Sequence, residues 1–224
     1  MAYNEEERRV ANLYGPRIVT DGLVLHLDAA NRKSYPGSGS TWYDLSGNGN
    51  NGTISGATYS ASNKCFNYDG TDDTVTTSIS SPTVRTVFIV FRRNGTQTSL
   101  GSVLIGKRTT GCFSSALYLN GSTALRAYSG GPETAVTSVS DNTWYHITVV
   151  AKAAGGTDFY VNGNYASGYS TNFNCNAMLQ NIGSSCNAEG SLKGDIPLVT
   201  AYSTEFSADQ IKQNFNAIKG RFAL

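Results

Sequence analysis

The chain has 224 residues, a formal net charge of +1 and only 15% charged residues. That length suits one substantial core rather than two. The near-zero charge argues against nucleic acid as the main partner, because phosphate neutralisation needs a basic excess; no apolar run reaches the length of a membrane span, so no membrane partner is expected either.

Residues 1–20 stand apart from the rest. Glu5 precedes Arg9 in the favourable i,i+4 order. Val10, Leu13 and Tyr14 then share one face of a short helix, which Gly15-Pro16 stops. So short a helix is marginal alone in water. The segment is therefore expected to be a docking arm: either a terminal turn packed on its own domain, or an arm gripping a neighbouring subunit. Val10, Leu13, Tyr14, Pro16 and Ile18 are its contact residues. The first residues are acidic where a secretory signal needs a basic stretch, and no apolar run follows, which predicts a protein made in a cytosol.

Residues 21–224 read as a single domain, nearly all strand and turn. Alternating or apolar runs predict strands at Leu23–Asp28, Lys64–Tyr68, Thr74–Thr77, Val84–Arg93, Ser102–Gly106, Ser115–Asn120, Ala124–Ser129, Thr143–Ala151, Thr157–Val161, Leu179–Gly183 and Lys193–Tyr202. Asp44-Leu-Ser-Gly-Asn-Gly-Asn-Asn-Gly-Thr53 lies between the first two and is expected to be consecutive tight turns, neither helix nor strand. Val87–Phe91 is apolar on both faces, as a fully covered central strand must be. Asn162-Gly163 marks a type I′ hairpin. Many short strands with regular turn signals imply an antiparallel β-sandwich or barrel.

One helix closes the chain, over about residues 208–219. Ser207 and Gln210 form a capping box, Phe206 and Ile211 a hydrophobic staple, and Ile211, Phe215 and Ile218 an apolar stripe. Gly220 is placed to stop it. The helix is expected to close one edge or end of the sandwich.

Several motifs are tested for chemistry. Gly47-Asn-Gly-Asn-Asn-Gly52 satisfies G-x-G-x-x-G but lacks the strand before and helix after that a phosphate site needs. Cys65, Cys112, Cys175 and Cys186 form no C-x-x-C pair, so zinc is not implied; they read as small buried thiols, or Cys175 and Cys186 as a loop bridge. The sequons at Asn51, Asn94 and Asn120 are by-products of turn composition. His146 shares a strand face with Trp144 and Thr148 and reads as a packing residue with a polar tip. His26 lies opposite Leu23, Leu25 and Leu27 and is expected to face water or a partner.

In order, Leu27-Asp28, Trp42 through Thr53, Phe66–Val75, Trp144–Val150 with Phe159–Gly163, and Gly194–Tyr202 leading into Ser207–Phe222 resemble the concanavalin A-like lectin/glucanase superfamily in its laminin-G-like branch. The resemblance spans about residues 21–222. It implies a jelly-roll β-sandwich with one short C-terminal helix. Gly15–Asn31 and Ile211–Phe222 further resemble the ends of structural proteins from tailed phages. That implies a virion component, with other virion proteins, a homo-oligomer or lattice neighbours as partners.

The superfamily includes glucanases, which carry catalytic carboxylates at alternate positions along one strand. Here Glu133, Glu189 and Glu205 lie in loops, none two residues from another carboxylate on a strand, so no catalytic residue is expected. Some laminin-G domains bind calcium through loop acids. Asp69, Asp72 and Asp73 are the corresponding candidates, the alternative being a turn that satisfies its own backbone; no other cofactor is expected. Tyr128, Tyr165, Tyr169, Asn172 and Phe173, in or near loops, are candidates for a glycan platform. The primary expectation is a non-enzymatic structural protein of a virion, on capsid, neck or tail. The alternative is a carbohydrate-binding module for host-surface glycans, with a glycoside hydrolase third.

Overall fold

The computed structural model describes residues 17–79, 82–95, 102–109, 112–121, 123–130, 132–184 and 190–224. Val10, Leu13, Tyr14 and Pro16, and the arm helix they were assigned to, lie outside them. The strands are β1 (Leu23–Asp28), β2 (Thr41–Trp42), β3 (Gly52–Ser55), β4 (Thr58–Ser60), β5 (Cys65–Asp69), β6 (Thr74–Thr76), β7 (Thr86–Arg93), β8 (Ser102–Thr109), β9 (Cys112–Asn120), β10 (Ala124–Tyr128), β11 (Thr134–Ser138), β12 (Trp144–Ala151), β13 (Thr157–Val161), β14 (Asn164–Tyr169), β15 (Asn181–Ile182) and β16 (Lys193–Tyr202). Among the described residues two helices accompany them, α1 (Cys175–Met178) and α2 (Ala208–Ile218), and a 3₁₀ turn at Lys219–Arg221 follows α2.

The strands form two antiparallel sheets of eight. Sheet I runs β14-β13-β12-β7-β16-β5-β4, and β1 also pairs with β16; sheet II runs β11-β10-β9-β8-β15-β6-β3-β2. The all-β sandwich expected from the sequence is thus present. Strand β16 makes this arrangement possible. Along one edge its first half pairs with β5 and its second half with β1, while β7 takes the other edge. Its register against β7 shifts between Asp195 and Leu198. Pro197, which has no N–H to give a ladder, sits inside that irregularity.

The inner faces meet in one core. Leu25, Leu27, Phe66, Val87, Ile89, Phe91, Ile147, Val149 and Phe159 of sheet I pack with Trp42, Val75, Leu104, Ile105, Leu117, Leu119, Leu125 and Ile182 of sheet II. Each such side chain contributes roughly 1.5–3 kcal/mol when buried. Strand β7 is buried on both faces. Val87, Ile89 and Phe91 point into the sandwich, whereas Phe88 and Val90 point to its outside. There Phe88 packs with Val150, Tyr202, Phe206 and Ile211, and Val90 with Leu198, Ile218 and Phe222. Helix α2 therefore lies across the outer face of sheet I. The expectation that it would close an edge or end is corrected: the sheet's second apolar face needs cover more than its edges do.

The helix begins as its sequence indicates. Ser207 accepts from the Gln210 N–H and the Gln210 side chain accepts from the Ser207 N–H, so the capping box is closed. It ends differently. Lys219 is in the right-handed region, and the chain tightens into the 3₁₀ turn instead of stopping on a left-handed Gly220. Asn162 and Gly163 take positive φ (50° and 74°), as a type I′ turn requires.

The glycine–asparagine stretch folds around Asp44. Its carboxylate accepts the N–H groups of His26 (2.9 Å), Ser46 (2.9 Å) and Asn50 (3.0 Å), and the Ser46 hydroxyl lies 2.6 Å from Oδ2. Asn50 and Asn48 side chains donate to the Val24 and Leu23 carbonyls. Gly47 and Gly49 supply the positive φ that such a tight knot needs. The stretch is thus a clamp on β1, which β16 needs as a partner. Its last two residues, Gly52 and Thr53, are extended and pair with Trp42 and Thr41, correcting the expectation of turns throughout. β2, β3, β4, β11, β14 and α1 are further elements that periodicity does not reveal.

A buried polar island lies on the outer face of sheet I. Asp195 is fully buried and receives Arg92 Nε (2.8 Å), Arg92 Nη2 (2.6 Å), Asn94 (2.9 Å) and Asn67. Arg92 also stands 4.6 Å over the Trp144 ring. Cys65, beside this island, has its thiol pushed up to about 12, first by burial and then by Asp195. Cys65 and Cys175 are both free and buried.

His146 packs between Phe88 and Phe215, and its Nδ1 has no partner among the described residues. Burial lowers its pKa from 6.5 to about 3. His26, expected to face water or a partner, turns to its own sheet. It is half-buried, bonded through Nδ1 to the Thr200 hydroxyl at 3.0 Å, and its pKa is lowered by burial, against the raising effect of Asp28 and Asp44.

Two outcomes are expected. Asp44→Ala orphans three backbone donors and should lower unfolding free energy by about 2–4 kcal/mol in a denaturant titration; a loss within error would remove the clamp. For His146, the folded imidazole stays neutral while the unfolded one protonates below its ordinary pKa of 6.5. Its contribution is whole above that pH and is lost as pH falls towards 3, at up to about 1.4 kcal/mol per pH unit. His146→Phe should flatten that acid slope in titrations across the window, and an unaltered slope would contradict the assignment.

Candidate functional site

Two adjoining concavities, of about 430 and 370 Å³, share Ala30 and Lys64 and open where three distant segments meet. These are the loop after β1, the β4–β5 hairpin and the turn that ends α2. Arg32, Tyr35, Pro36, Gly37, Tyr59 and Ala61 line the larger one, and Asn63, Arg221 and Phe222 the smaller. Volumes of this size suit a small ligand or one or two sugar rings.

Each wall is held by the fold. The buried Ser34 hydroxyl donates to the Tyr43 carbonyl at 2.6 Å and accepts from the Asp28 N–H at 3.1 Å, which fixes the first loop. The Asn31 side chain caps the same loop by accepting the Lys33 N–H. In the hairpin, Ser60 accepts from Asn63, and Lys64 adopts φ +52°, a left-handed conformation uncommon for a residue with a side chain. The floor is a run of rings rising from the core: Trp42 to Phe66 (4.6 Å), Phe66 to Tyr35 (4.8 Å) and Tyr35 to Tyr59 (4.9 Å). Both tyrosine hydroxyls are spent on backbone carbonyls, Tyr35 on Gly39 and Tyr59 on Ala29. Tyr35 is itself buried, so the ring surface offered to the cleft is that of the half-buried Tyr59.

The charges are one-sided. Arg221 is held by a bidentate pair to Asp28 at 2.8 and 2.9 Å, and Asp28 also accepts the Ala30 N–H. Its charge is thereby offset. Arg32 and Lys64 are exposed and make no ion pair among the described residues. The cleft therefore presents two unneutralised cations beside aromatic surface.

Among the described residues, none of the site candidates singled out from sequence lines this cleft. Tyr169 and Phe173 lie in the core, packed on each other and, for Phe173, on Phe159, so neither offers a face to a ligand. Tyr165 is 61% exposed on β14, edge-on to Tyr160. Tyr128 ends β10 in the other sheet, and its neighbour Ser129 donates to the Asn172 carbonyl. The structure thus brings Asn172 near Tyr128 but does not gather the five into one surface. Ile18 is half-buried against Val90, Leu198, Ile218 and Phe222, so it packs on its own sheet.

Asp69, Asp72 and Asp73 do converge, with one oxygen of each within 4.8 Å of the others. Asp73 is buried and accepts the Asp69 N–H at 2.7 Å, while Asp69 accepts the Thr71 N–H at 2.7 Å. Burial holds the Asp73 carboxyl above its usual range. These bonds are those of a turn closed by its own carboxylates. Glu133 pairs with Arg126 at 3.5 Å and Glu205 accepts the Ala153 N–H at 2.7 Å; Glu189 lies outside the described residues.

Sequence reasoning missed Arg32, Tyr35, Tyr59 and Lys64. A lone cation in a turn carries no spacing signal. The one available hint was the pair of tyrosines placed just outside the turns flanking the Asp44 stretch.

A profile described as the concanavalin A-like lectin/glucanases superfamily, laminin-G type, matches residues 69–212. No curated protein matches the chain. Among solved structures, the Trypanosoma rangeli sialidase superposes with a TM-score of 0.70 at 16% identity, over 89% of this chain and 33% of the sialidase. The chain thus spans about a third of that enzyme's length. Domain 4 of AbnA, an extracellular arabinanase from Geobacillus stearothermophilus, superposes with a TM-score of 0.64 at 15% identity, over 87% of this chain and 98% of that domain. The binding domain of Paraclostridial Mosquitocidal Protein 1 gives 0.62 at 14%, over 88% and 52%. At these identities the likeness is one of fold.

Proposed function

The chain belongs to the concanavalin A-like lectin/glucanases superfamily, and from that premise we propose that it is a non-catalytic domain that binds glycan in the cleft bounded by Arg32, Tyr59, Lys64 and Phe222. The observation that carries this reading is the run of tilted and edge-on ring contacts that ends at Tyr59. A pre-set aromatic wall with its hydroxyl already satisfied can take the apolar face of a sugar without ordering anything further. The neighbour of matching length, the arabinanase domain, was solved with arabinotriose bound, which supports the same use of the fold. Binding without cleavage is supported by the carboxylate beside the cleft. Asp28 is committed to Arg221 and Ala30, whereas hydrolysis needs a free acid and a second carboxylate about 5–10 Å away.

A second reading places this domain on a tailed-phage particle, as a displayed part of capsid, neck or tail. It rests on the resemblance of Gly15–Asn31 and Ile211–Phe222 to the ends of tailed-phage structural proteins, and the described parts of those two ends meet in the structure. Asn214 of α2 accepts the Val19 N–H at 2.8 Å, Gln213 donates to the Arg17 carbonyl, Tyr202 donates to the Val19 carbonyl, and Arg221 grips Asp28. The described parts of the two ends form one unit. A display domain and a glycan-binding domain are compatible.

On a glycan array the full chain should bind saturably. Tyr59→Leu, which keeps apolar bulk but not the ring, should weaken the best hit about tenfold; an array without saturable signal contradicts the binding function. For the particle role, deleting residues 1–16 should leave melting unchanged and abolish incorporation into virions, and normal incorporation would refute the arm.

A further inference from the structure

The cleft's charge and its aromatic wall together say more than that it takes a sugar. The whole chain is balanced at +1, yet Arg32 and Lys64 stand on one cleft with no carboxylate to neutralise them among the described residues. Asp28, which joins the cleft wall through Arg221, is used up by that arginine in a bidentate pair. The arrangement therefore keeps one cation silent and leaves two available. Lys64 adds a further sign. It occupies a left-handed turn position at which glycine would be easier, so its side chain is present at a local conformational cost. Tyr35 and Tyr59 give their hydroxyl protons to backbone carbonyls and bring no anionic group to that wall.

We infer that the ligand is an acidic oligosaccharide, one whose sugar carries a carboxylate or sulfate. The ring lies against Tyr59 and the anion sits between Arg32 and Lys64. This rests on the reading of the cleft as a glycan site. It goes beyond that reading in assigning the charge of the ligand and the two residues that select it.

The test uses the full chain and three probe classes in titration calorimetry: oligogalacturonate, the same oligosaccharide fully methyl-esterified, and a sulfated oligosaccharide such as a heparin tetrasaccharide. The ester keeps the sugar skeleton and removes the charge. An acidic probe should bind at least about tenfold more tightly than the ester at low ionic strength, and the gap should narrow in about 0.5 M salt, where the Debye length falls to a few ångströms. Which acidic probe binds tells carboxylate from sulfate. Arg32→Gln and Lys64→Gln should each cost about fivefold for the acid and leave any ester binding unchanged. Lys64→Gly is the control for folding: it should hold or raise the melting temperature while losing as much affinity as Lys64→Gln. Equal binding of acid and ester, lost in Tyr59→Leu, would overturn the charge assignment and leave the glycan site standing. Acid binding untouched by both cation variants would overturn the assigned residues. Silence from every probe here, together with a silent glycan array, would overturn the glycan reading itself.

Discussion

Strand β7 has apolar side chains on both faces, and a strand of that kind cannot be left with one side in water. Val87, Ile89 and Phe91 are covered by sheet II; Phe88 and Val90 need something else. The C-terminal helix supplies it. Much of the molecule follows from that demand. The helix must cross the outer face of sheet I, so the chain after it arrives beside β1 and β5. Phe222 then packs on Trp144 at 5.2 Å, and Arg221 reaches Asp28. The cleft exists because this turn forms its third wall.

The polar groups that look most like a site turn out to support this arrangement. Asp44 takes its hydrogen bonds from the backbone of its own loop and of β1. Asp195 binds Arg92, Asn94 and Asn67 across three neighbouring segments of sheet I. A buried carboxylate without such partners would cost several kcal/mol, so these groups are fully used in holding strands together. The residues left with unspent capacity are the plainer ones, Arg32 and Lys64 in turns and the half-buried ring of Tyr59.

What the sequence disclosed tracks how local each determinant is. The bounds of Leu23–Asp28, Thr157–Val161 and Lys193–Tyr202 were legible to the residue. The face of Leu23 was not, because a register shift between Leu23 and Leu25 sends it to the outer cluster of Phe88 and Tyr202 and not to Leu25 and Leu27. The capping box of α2 was legible too. β14, Asn-Tyr-Ala-Ser-Gly-Tyr, has no apolar alternation and is a strand only because β13 offers it a ladder. Which face a residue finds was also hidden. His26 was assigned by its strand period to water or a partner, yet it is half-buried and bonds Thr200 on β16. Tyr169 and Phe173 looked like loop aromatics, and tertiary packing draws them inward. The cleft joins residues near 32, 60 and 221, and no window of sequence contains all three.

The account stands or falls on the C-terminal helix being part of the same cooperative unit as the sheet it covers. Native-state hydrogen exchange reads this directly, residue by residue. The amides of Ile211–Ile218 should exchange with those of β7 and β16, at close to the free energy of global unfolding. Exchange of the helix through a separate, low-energy opening, while β7 stays protected, would show that the outer face of sheet I does not depend on it and that the cleft has no fixed third wall.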